Sequence, residues 1–307
     1  MIHKSVLLME AIDGLNIKEG DIFVDCTVGG GGHLEEVCRR FGSKVSLIGI
    51  DLDPDAIARA SARLEHFKCP IRYAVGSFRN IDTILLHSGV SKVDKILFDL
   101  GMSSNQLEGD GRPARPNEFG HSGGGFSFQK DEKLDMRFNP KVQKISAQEI
   151  INEWPEQEIE KILKEYGEER FSLKIARNIA KHTRPVKSTL QLVEIIKAST
   201  PGWYHHQKIH FATKTFQALR MAVNDELNNL KKVLPQALDV LNKKGRLAVI
   251  SFHSLEDRII KNFLRENYHN KKILLINKKP IMAGASEVKT NPRSRSAKLR
   301  GAIKTYE

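Results

Sequence analysis

Apolar runs of four to seven residues alternate with amphipathic segments over the first hundred residues of the chain. The runs predict buried strands, and the segments with apolar residues three or four apart predict helices. The predicted strands are 21–26, 45–51, 71–75 and 95–100, and the predicted helices are 8–15, 34–41, 54–64 and 81–87. Asp53 is the expected N-cap of the third helix, with Pro54 at its first position. This alternation predicts an α/β fold with a mostly parallel sheet.

The alternation stops after residue 100 and resumes after residue 210. Residues 101–145 are glycine-rich and polar, and 146–199 have helical periodicity with no strand pattern. We therefore predict a first α/β part over 1–107, a long loop and inserted helical domain over 108–209, and a second α/β part with a basic tail over 210–307. In that second part a long helical stretch precedes predicted strands at 246–252 and 272–277, a helix begins near residue 253, and 298–305 is predicted as a final edge strand.

Composition narrows the class of protein. The 307 residues include 40% hydrophobic residues and three cysteines without a C-x-x-C pair, which predicts a reducing, cytoplasmic location and argues against a disulfide scaffold or a metal site. The sequence has no apolar run of transmembrane length and no signal-peptide pattern, so no membrane association is expected.

The formal net charge of +12 predicts a polyanionic partner, most often a nucleic acid. Basic residues recur in the inserted domain and in the tail after Val288. Those of the inserted domain are Lys174, Arg177, Lys181, Arg184 and Lys187. They are interpreted equally well as a solvated helix face or as a phosphate-contacting surface.

Polar residues and a glycine run lie where the predicted strands end. The segment 22–33 reads IFVDCTVGGGGH, so that Asp25 precedes four glycines and His33 at the start of a helix. Asp51, Phe78 and Asp99 follow the next three predicted strands. Because ligands of parallel α/β sheets bind at the carboxyl ends of the strands, these residues predict a nucleotide-like site, with Asp51 near the ribose.

Two cofactor classes reach such an edge through an adenosine, namely dinucleotides and S-adenosylmethionine. The loop lacks the third glycine of G-x-G-x-x-G, and Glu35 and Glu36 in the first helical turn would repel a pyrophosphate. Asp25 and Asp99 suit the cationic sulfonium and amino groups of S-adenosylmethionine. That cofactor is favoured.

Each residue of this edge also has a purely structural interpretation. Asp25 could cap the following turn, Asp99 could cap the turn at Gly101, and His33 could be a first-turn surface residue. Phe78 is equally consistent with the core. Their joint position on one edge favours a functional site.

Nine ordered motifs resemble the RsmH (MraW) family of S-adenosylmethionine-dependent methyltransferases almost from end to end. They are VLLMEAIDGL, VDCTVGGGGH, IGIDLDP, FDLGMSSNQL, GFSFQKDEKLDMR, YGEERF, TKTFQALRMAVNDEL, ISFHSLEDR and NPRSRSAKLR. The resemblance implies a Rossmann-like class I methyltransferase fold with a small helical insertion. It also implies N4-methylation of a cytidine in the decoding region of 16S ribosomal RNA, within the small ribosomal subunit.

The resemblance also implies a set of cofactor-binding residues. They are Gly31, Gly32, His33, Asp51, Phe78, Asp99 and Gln106. Two features depart from the family pattern: the segment 109–124 is longer than usual, and the loop has four glycines where many relatives have a larger residue among them.

The expected chemistry needs a hydrogen-bond acceptor that favours a pyramidal nitrogen at cytosine N4. The candidate acceptors are Asp99, as the catalytic residue, and the backbone carbonyls around residues 100–101. Carbon-5 methylation would need a cysteine nucleophile, and no cysteine follows the fourth or fifth predicted strand. His253, Ser254 and Glu256 follow the fifth strand, where they are interpreted either as contacts to the target nucleotide or as a helix cap with Ser254 as N-cap.

Two other classes of function stay open at this point. One is a nicotinamide-dependent dehydrogenase, and the other is a non-catalytic RNA-binding assembly factor on a methyltransferase scaffold. The sequence also leaves the oligomeric state open, a homodimer included.

Overall fold

The computed structural model describes residues 4–101, 124–182 and 185–306. The chain forms two compact units, one made of 1–102 with 227–307 and the other of 103–226. The second unit thus extends to Glu226, whereas the predicted insertion ends at residue 209. Gln106 and nearly all of the long segment 109–124 lie outside the described residues.

The first unit is built on an eight-stranded sheet. Its strands are β1 Ile22–Asp25, β2 Ser46–Asp51, β3 Ile71–Val75, β4 Val93–Asp99, β5 Leu241–Ser251, β6 Ile273–Leu275, β7 Ile281–Met282 and β8 Lys298–Lys304. Their order is β3-β2-β1-β4-β5-β8-β6, with β7 also paired to β8. The strands β1 to β5 are parallel and β8 is antiparallel to β5, which confirms the α/β prediction with a mostly parallel sheet.

Helices cover both faces of this sheet, which explains why its central strands are apolar at consecutive positions. Val24, Ile96 and Val249 belong to the core on one face, and Phe23 and Leu97 belong to the core on the other. The helices of the unit are Leu8–Leu15, Gly32–Phe41, Pro54–Leu64, Ile81–His87, Glu226–Val240, Ser254–His269 and Ala285–Thr290.

Four sequence predictions about local structure have clear outcomes. Asp53 is confirmed as an N-cap, since its side chain accepts from the N–H of Asp55. The edge-strand prediction for 298–305 is wrong, because β8 pairs with β5 on one side and with β6 and β7 on the other. The long helix predicted before β5 is interrupted at Asp225, whose φ is 51°. Ser254 as N-cap is also wrong, since His253 holds that position.

The second unit is helical among its described residues, apart from an isolated bridge between Lys133 and Ser188. Its helices are Ala147–Glu153, Glu156–Glu165, Ser172–Lys181, Thr189–Ser199, Gly202–His205 and Thr213–Asn224. Ser146 and Glu149 form a reciprocal capping box at the first of these. Over the described parts of the chain, neither unit has a helix with the length and apolarity needed to cross a membrane.

Candidate active site

The carboxyl end of β1 turns into the glycine loop through Asp25, whose side chain is fully buried. One of its oxygens accepts from the backbone N–H of Thr27 at 3.1 Å, so that Asp25 does cap the turn as its structural interpretation expects. Its other oxygen, Oδ2, has no hydrogen-bond partner among the described residues. Burial, with a smaller contribution from repulsion by Asp51, raises the pKa of Asp25 to about 7.

The carboxyl end of β2 places Asp51 against the same loop. Its Oδ2 accepts from the N–H of Gly29 at 2.8 Å and its Oδ1 from the N–H of Asp53 at 2.9 Å. Burial raises the pKa of Asp51 to about 6, although these two hydrogen bonds oppose the shift. A carboxylate has about four lone-pair sites, so Asp51 keeps acceptor capacity for the hydroxyls of a ribose.

The glycines between these acids differ in what they do. Gly31 precedes the helix Gly32–Phe41 with a φ of +78°, and a Cβ there would lie 3.1 Å from the Cβ of Ala60. A side chain at this position would therefore be both strained and crowded. At Gly32 a Cβ would collide with the hydroxyl oxygen of Ser5, so this glycine admits the close approach of the N-terminal segment.

The carboxyl end of β4 brings Asp99 beside Asp25 and His33. The N–H of Asp99 donates to the hydroxyl of Thr27 at 2.6 Å, and its Oδ2 lies 3.9 Å from Nδ1 of His33. His33 is buried, so its interpretation as a surface residue is wrong. Within the described residues the Oδ1 of Asp99 has no hydrogen-bond partner. Burial, reinforced by repulsion from Asp25 and Glu256, raises the pKa of Asp99 well above its usual range.

Phe78 lies after β3 at the start of a short 3-10 turn. Its ring packs edge-on against Phe98 of β4, with ring centroids 5.7 Å apart, and it stays half-buried. Phe78 thus agrees with both interpretations, a core residue and a residue of the ligand-binding edge. One part of its ring packs in the core, and the rest is accessible.

The turn after β5 holds His253, Ser254 and Glu256. Glu256 is buried, accepts from the N–H of Phe252 at 2.8 Å and has Oε1 3.1 Å from Nε2 of His253. The His253 side chain accepts from the N–H of Glu256 at 3.4 Å, which completes a capping box. Ser254, the first helical residue, is exposed. Glu256 is therefore a structural organiser of this turn, and Ser254 is the accessible member.

Thr27 is a residue of this edge that sequence reasoning missed. It links two strand ends, because its N–H binds Asp25 and its hydroxyl binds the backbone of Asp99. The available signal is the spacing D-x-T at the end of an apolar run, which is typical of a side chain that turns back onto the preceding acid.

The acids at this edge of the sheet could bind a cationic group. Asp25, Asp51 and Asp99 converge, and no lysine or arginine among the described residues forms an ion pair with Asp25 or Asp99. Buried acids of this kind are stabilised in their ionised form when a cationic ligand enters. A sulfonium and an ammonium group fit this donor set.

Glu35 and Glu36 are paired with Arg63 and with Arg39 and Arg40, respectively. Their repulsion of a pyrophosphate is therefore weaker than the sequence suggests.

Comparisons with known proteins agree with this geometry. Residues 1–305 match the profile of the MraW methylase family. A ribosomal RNA small subunit methyltransferase H of Clostridium botulinum (strain Kyoto / Type A2) is 45% identical over 97% of this chain and 97% of its own length. Proteins of the same name from Halothermothrix orenii and Heliobacterium mobile are each 42% identical over 98% of this chain, and over 97% and 98% of their own lengths.

Proposed function

The chain belongs to the MraW methylase family, and we propose that it methylates N4 of one cytidine in the decoding region of 16S ribosomal RNA with S-adenosylmethionine as donor. The observation that carries this proposal is the convergence of Asp25, Asp51 and Asp99 beside the glycine loop. The relatives of 42–45% identity, which are named for the ribosomal RNA of the small subunit, support the substrate. Family membership and the sheet together agree with a Rossmann-like class I methyltransferase.

The cofactor-binding role of the edge follows from charge and shape. S-adenosylmethionine supplies an electrophilic methyl group on a sulfonium cation. Asp25 and Asp99 would attract its two cationic groups by charge, because neither acid forms an ion pair with a lysine or arginine among the described residues. The Oδ2 of Asp25, which has no hydrogen-bond partner among those residues, would accept from the ammonium group. Asp51 would bind the ribose hydroxyls. The remaining proposed contacts are Gly31, Gly32, His33, Phe78 and Gln106.

Asp99 is the proposed acceptor for the reacting amine. The lone pair of cytosine N4 is delocalised into the ring, so the nitrogen must be positioned and held in a pyramidal geometry. The Oδ1 of Asp99 is buried and available within the described residues for a hydrogen bond from N4. Burial raises the pKa of Asp99 in the ligand-free protein, and the positive charge of a bound donor would oppose that shift and keep Asp99 ionised as an acceptor.

A cysteine-dependent mechanism does not suit this chain. Cys26 and Cys38 are buried, and burial raises the pKa of the Cys26 thiol. A nucleophilic cysteine needs a lowered pKa and access to substrate. N4 chemistry through Asp99 is therefore favoured over attack on carbon-6 of the base.

Contacts to the target nucleotide are proposed from the turn after β5. Ser254 is exposed and His253 is half-buried, so both can reach a base placed at the sheet edge. Glu256 would act through His253, since their side chains lie 3.1 Å apart. We propose that the substrate is RNA within the small ribosomal subunit.

The experiment is sequence-resolved detection of N4-methylcytidine in 16S RNA from cells with and without the gene. The same purified chain should restore the mark on unmethylated small subunits when S-adenosylmethionine is added. An Asp99→Asn variant should bind the subunits without restoring it. A mark that persists without the gene, or a wild-type chain that binds subunits and never methylates them, would instead favour a non-catalytic assembly factor. Light scattering of the purified chain would settle whether it is a homodimer.

A further inference from the structure

An exposed tryptophan lies in the second unit, far along the chain from the residues of the active site. Trp203 keeps 52% of its surface exposed, although tryptophan carries one of the largest apolar rings. It belongs to the short helix Gly202–His205. Tryptophan and arginine are enriched at the interaction surfaces of proteins, so an exposed tryptophan ring indicates a candidate binding surface.

The ring is held in place by its neighbours. Its centroid lies 5.9 Å from that of Phe171 and 5.8 Å from that of Tyr204, and these two rings meet edge-on at 5.0 Å. The hydroxyl of Tyr204 donates to the buried carboxylate of Glu169, with oxygen distances of 2.9 and 3.1 Å. Trp203 therefore rests on an anchored aromatic base, which lowers the entropy cost of binding a ligand on its exposed surface.

A cation accompanies this ring. The guanidinium carbon of Arg170 lies 5.6 Å from the centroid of Trp203, a cation–π distance, and the Arg170 side chain is exposed. The following helix, Ser172–Lys181, has exposed basic side chains at Lys174, Arg177 and Lys181. Their spacing of three and four residues places them on one helix face. Arg177 contacts Glu156 at 3.6 Å, and the Arg177 side chain keeps 51% of its surface exposed.

We propose that Trp203 and Arg170 form a stacking platform for an unpaired base of the RNA substrate, with the basic face of the helix Ser172–Lys181 contacting the adjacent phosphates. This inference rests on the proposed function for the identity of the RNA. Single-stranded RNA is bound by aromatic rings and guanidinium planes that stack on bases, next to cations that contact the backbone. An apolar protein partner would leave Arg170 and the basic face without complementary charge.

Fluorescence gives a direct test, because the chain has only two tryptophans, Trp154 and Trp203. In a Trp154→Phe background, all tryptophan emission comes from Trp203. We expect an unstructured oligocytidylate to quench this emission on binding. An abasic ribose-phosphate oligomer of the same length should bind through charge without quenching it. Trp203→Phe, in which only Trp154 emits, is the matched control and should show no quenching by either oligomer.

Affinity gives the second test. Trp203→Ala should weaken binding of the oligocytidylate about 5- to 150-fold, whereas Trp203→Phe should retain most of the affinity. The dependence of log Kd on log salt should keep its slope in Trp203→Ala, because no phosphate contact is lost. The double variant Lys174→Ala with Lys181→Ala should do the opposite and reduce the magnitude of the slope by about 1.4, or about 0.7 for each lost phosphate contact. Circular dichroism checks that each variant is folded.

Unchanged affinity in Trp203→Ala, or equal quenching by the abasic oligomer, would overturn the proposal. So would a loss of binding to small subunits with no loss on protein-free RNA, since that result indicates a protein partner for Trp203. Loss of a chain dimer in Trp203→Ala, with RNA affinity intact, would identify a second copy as the occupant. Quenching by oligocytidylate in a chain that methylates no RNA would retain the platform and refute the proposed function instead.

Discussion

Two groups of half-buried or buried acids in the first unit have opposite surroundings. At the carboxyl ends of β1 and β4, Asp25 and Asp99 face each other with no ion pair to a lysine or arginine among the described residues. At the start of the helix Ser254–His269, Asp257 accepts from Nε of Arg300 at 2.7 Å and from Nζ of Lys298 at 3.1 Å. Both cations come from β8.

The difference separates an acid with a structural role, Asp257, from two acids that are proposed to bind a ligand. Burial alone would raise the pKa of Asp257, but the hydrogen bonds from Arg300 and Lys298 hold it below its usual range. The pKa values of Asp25 and Asp99 are raised because nothing of this kind offsets their burial. Asp257 has cationic partners within the fold, whereas Asp25 and Asp99 have none among the described residues. Asp25 and Asp99 are therefore the acids that we expect to bind a cationic ligand.

The largest expected effect comes from Asp99→Asn, which keeps the size of the side chain and removes its basicity. We expect kcat for methyl transfer to fall about 100-fold or more at saturating S-adenosylmethionine, the range typical of a lost proton acceptor. The free energy of unfolding should not fall, because an amide in this pocket needs no counter-charge. Single-turnover methylation and urea unfolding measure the two quantities.

Near-normal turnover in Asp99→Asn would leave Asp99 as a binding residue only and would remove it as the acceptor. The control is the same change from aspartate to asparagine at Asp257. Both substitutions then lie in the same unit of the protein.

Asp257→Asn is that change, and its expected readout is the reverse. Removing the carboxylate leaves Arg300, whose side chain is only 12% exposed, without its counter-charge. We expect the free energy of unfolding to fall by about 2–3 kcal/mol, at the lower end for a broken buried pair because Lys298 is partly solvated. kcat of the folded variant should stay within about twofold of wild type. A stable Asp257→Asn variant with low kcat would erase the distinction between the two acids.

Sequence reasoning found the first group and not the second, for a physical reason. Asp25 and Asp99 end apolar runs of a parallel sheet, and the direction of such strands brings their carboxyl ends together. The partners of Asp257 lie on β8, 41 and 43 residues further along the chain. Their pairing depends on the position of β8 inside the sheet, between β5 and β6, whereas the sequence analysis places 298–305 at an edge.

The helix cap after β5 shows a second limit of prediction from the sequence. Serine is the better N-cap by propensity, so the pattern His253-Ser254 favours Ser254. The structure selects His253, because Glu256 three residues later closes a capping box with it and is buried there. Burial of that glutamate is a tertiary effect that local propensity does not contain.

The pH dependence of stability should also differ between the two groups. Asp25 has a pKa of about 7 when folded against an ordinary value of 3.8, so the folded state binds more protons between these values. Its contribution to stability is therefore greatest below pH 4 and is lost as the pH rises towards 7, by up to about 1.4 kcal/mol per pH unit. The contribution of Asp257 is present above its ordinary pKa and is lost as the pH falls through its lowered value.

Urea unfolding of the cofactor-free wild type and of Asp25→Asn between pH 4.5 and 7.5 measures this contribution. The stability of the wild type relative to the variant should decrease steadily over that interval. Parallel curves would mean that Asp25 does not titrate between these values, and the contrast with Asp257 would then rest on geometry alone.

The smallest expected effect tests whether shape at the glycine loop matters in addition to charge. Gly31 and Gly42 flank the same helix, both with positive φ, but a Cβ would meet Ala60 at Gly31 and nothing within 4 Å at Gly42. Gly31→Ala should cost about 1 kcal/mol of stability through left-handed strain. Gly42→Ala, at a φ of 57° and a ψ of −133°, should cost about 1–3 kcal/mol, because that backbone region is nearly restricted to glycine. Only Gly31→Ala should also move the loop whose Gly29 N–H binds Asp51, so only it should weaken S-adenosylhomocysteine binding, about tenfold by calorimetry. If Gly42→Ala weakened binding equally, the effect would reflect general destabilisation of the helix, and the acids alone would account for the affinity of the edge.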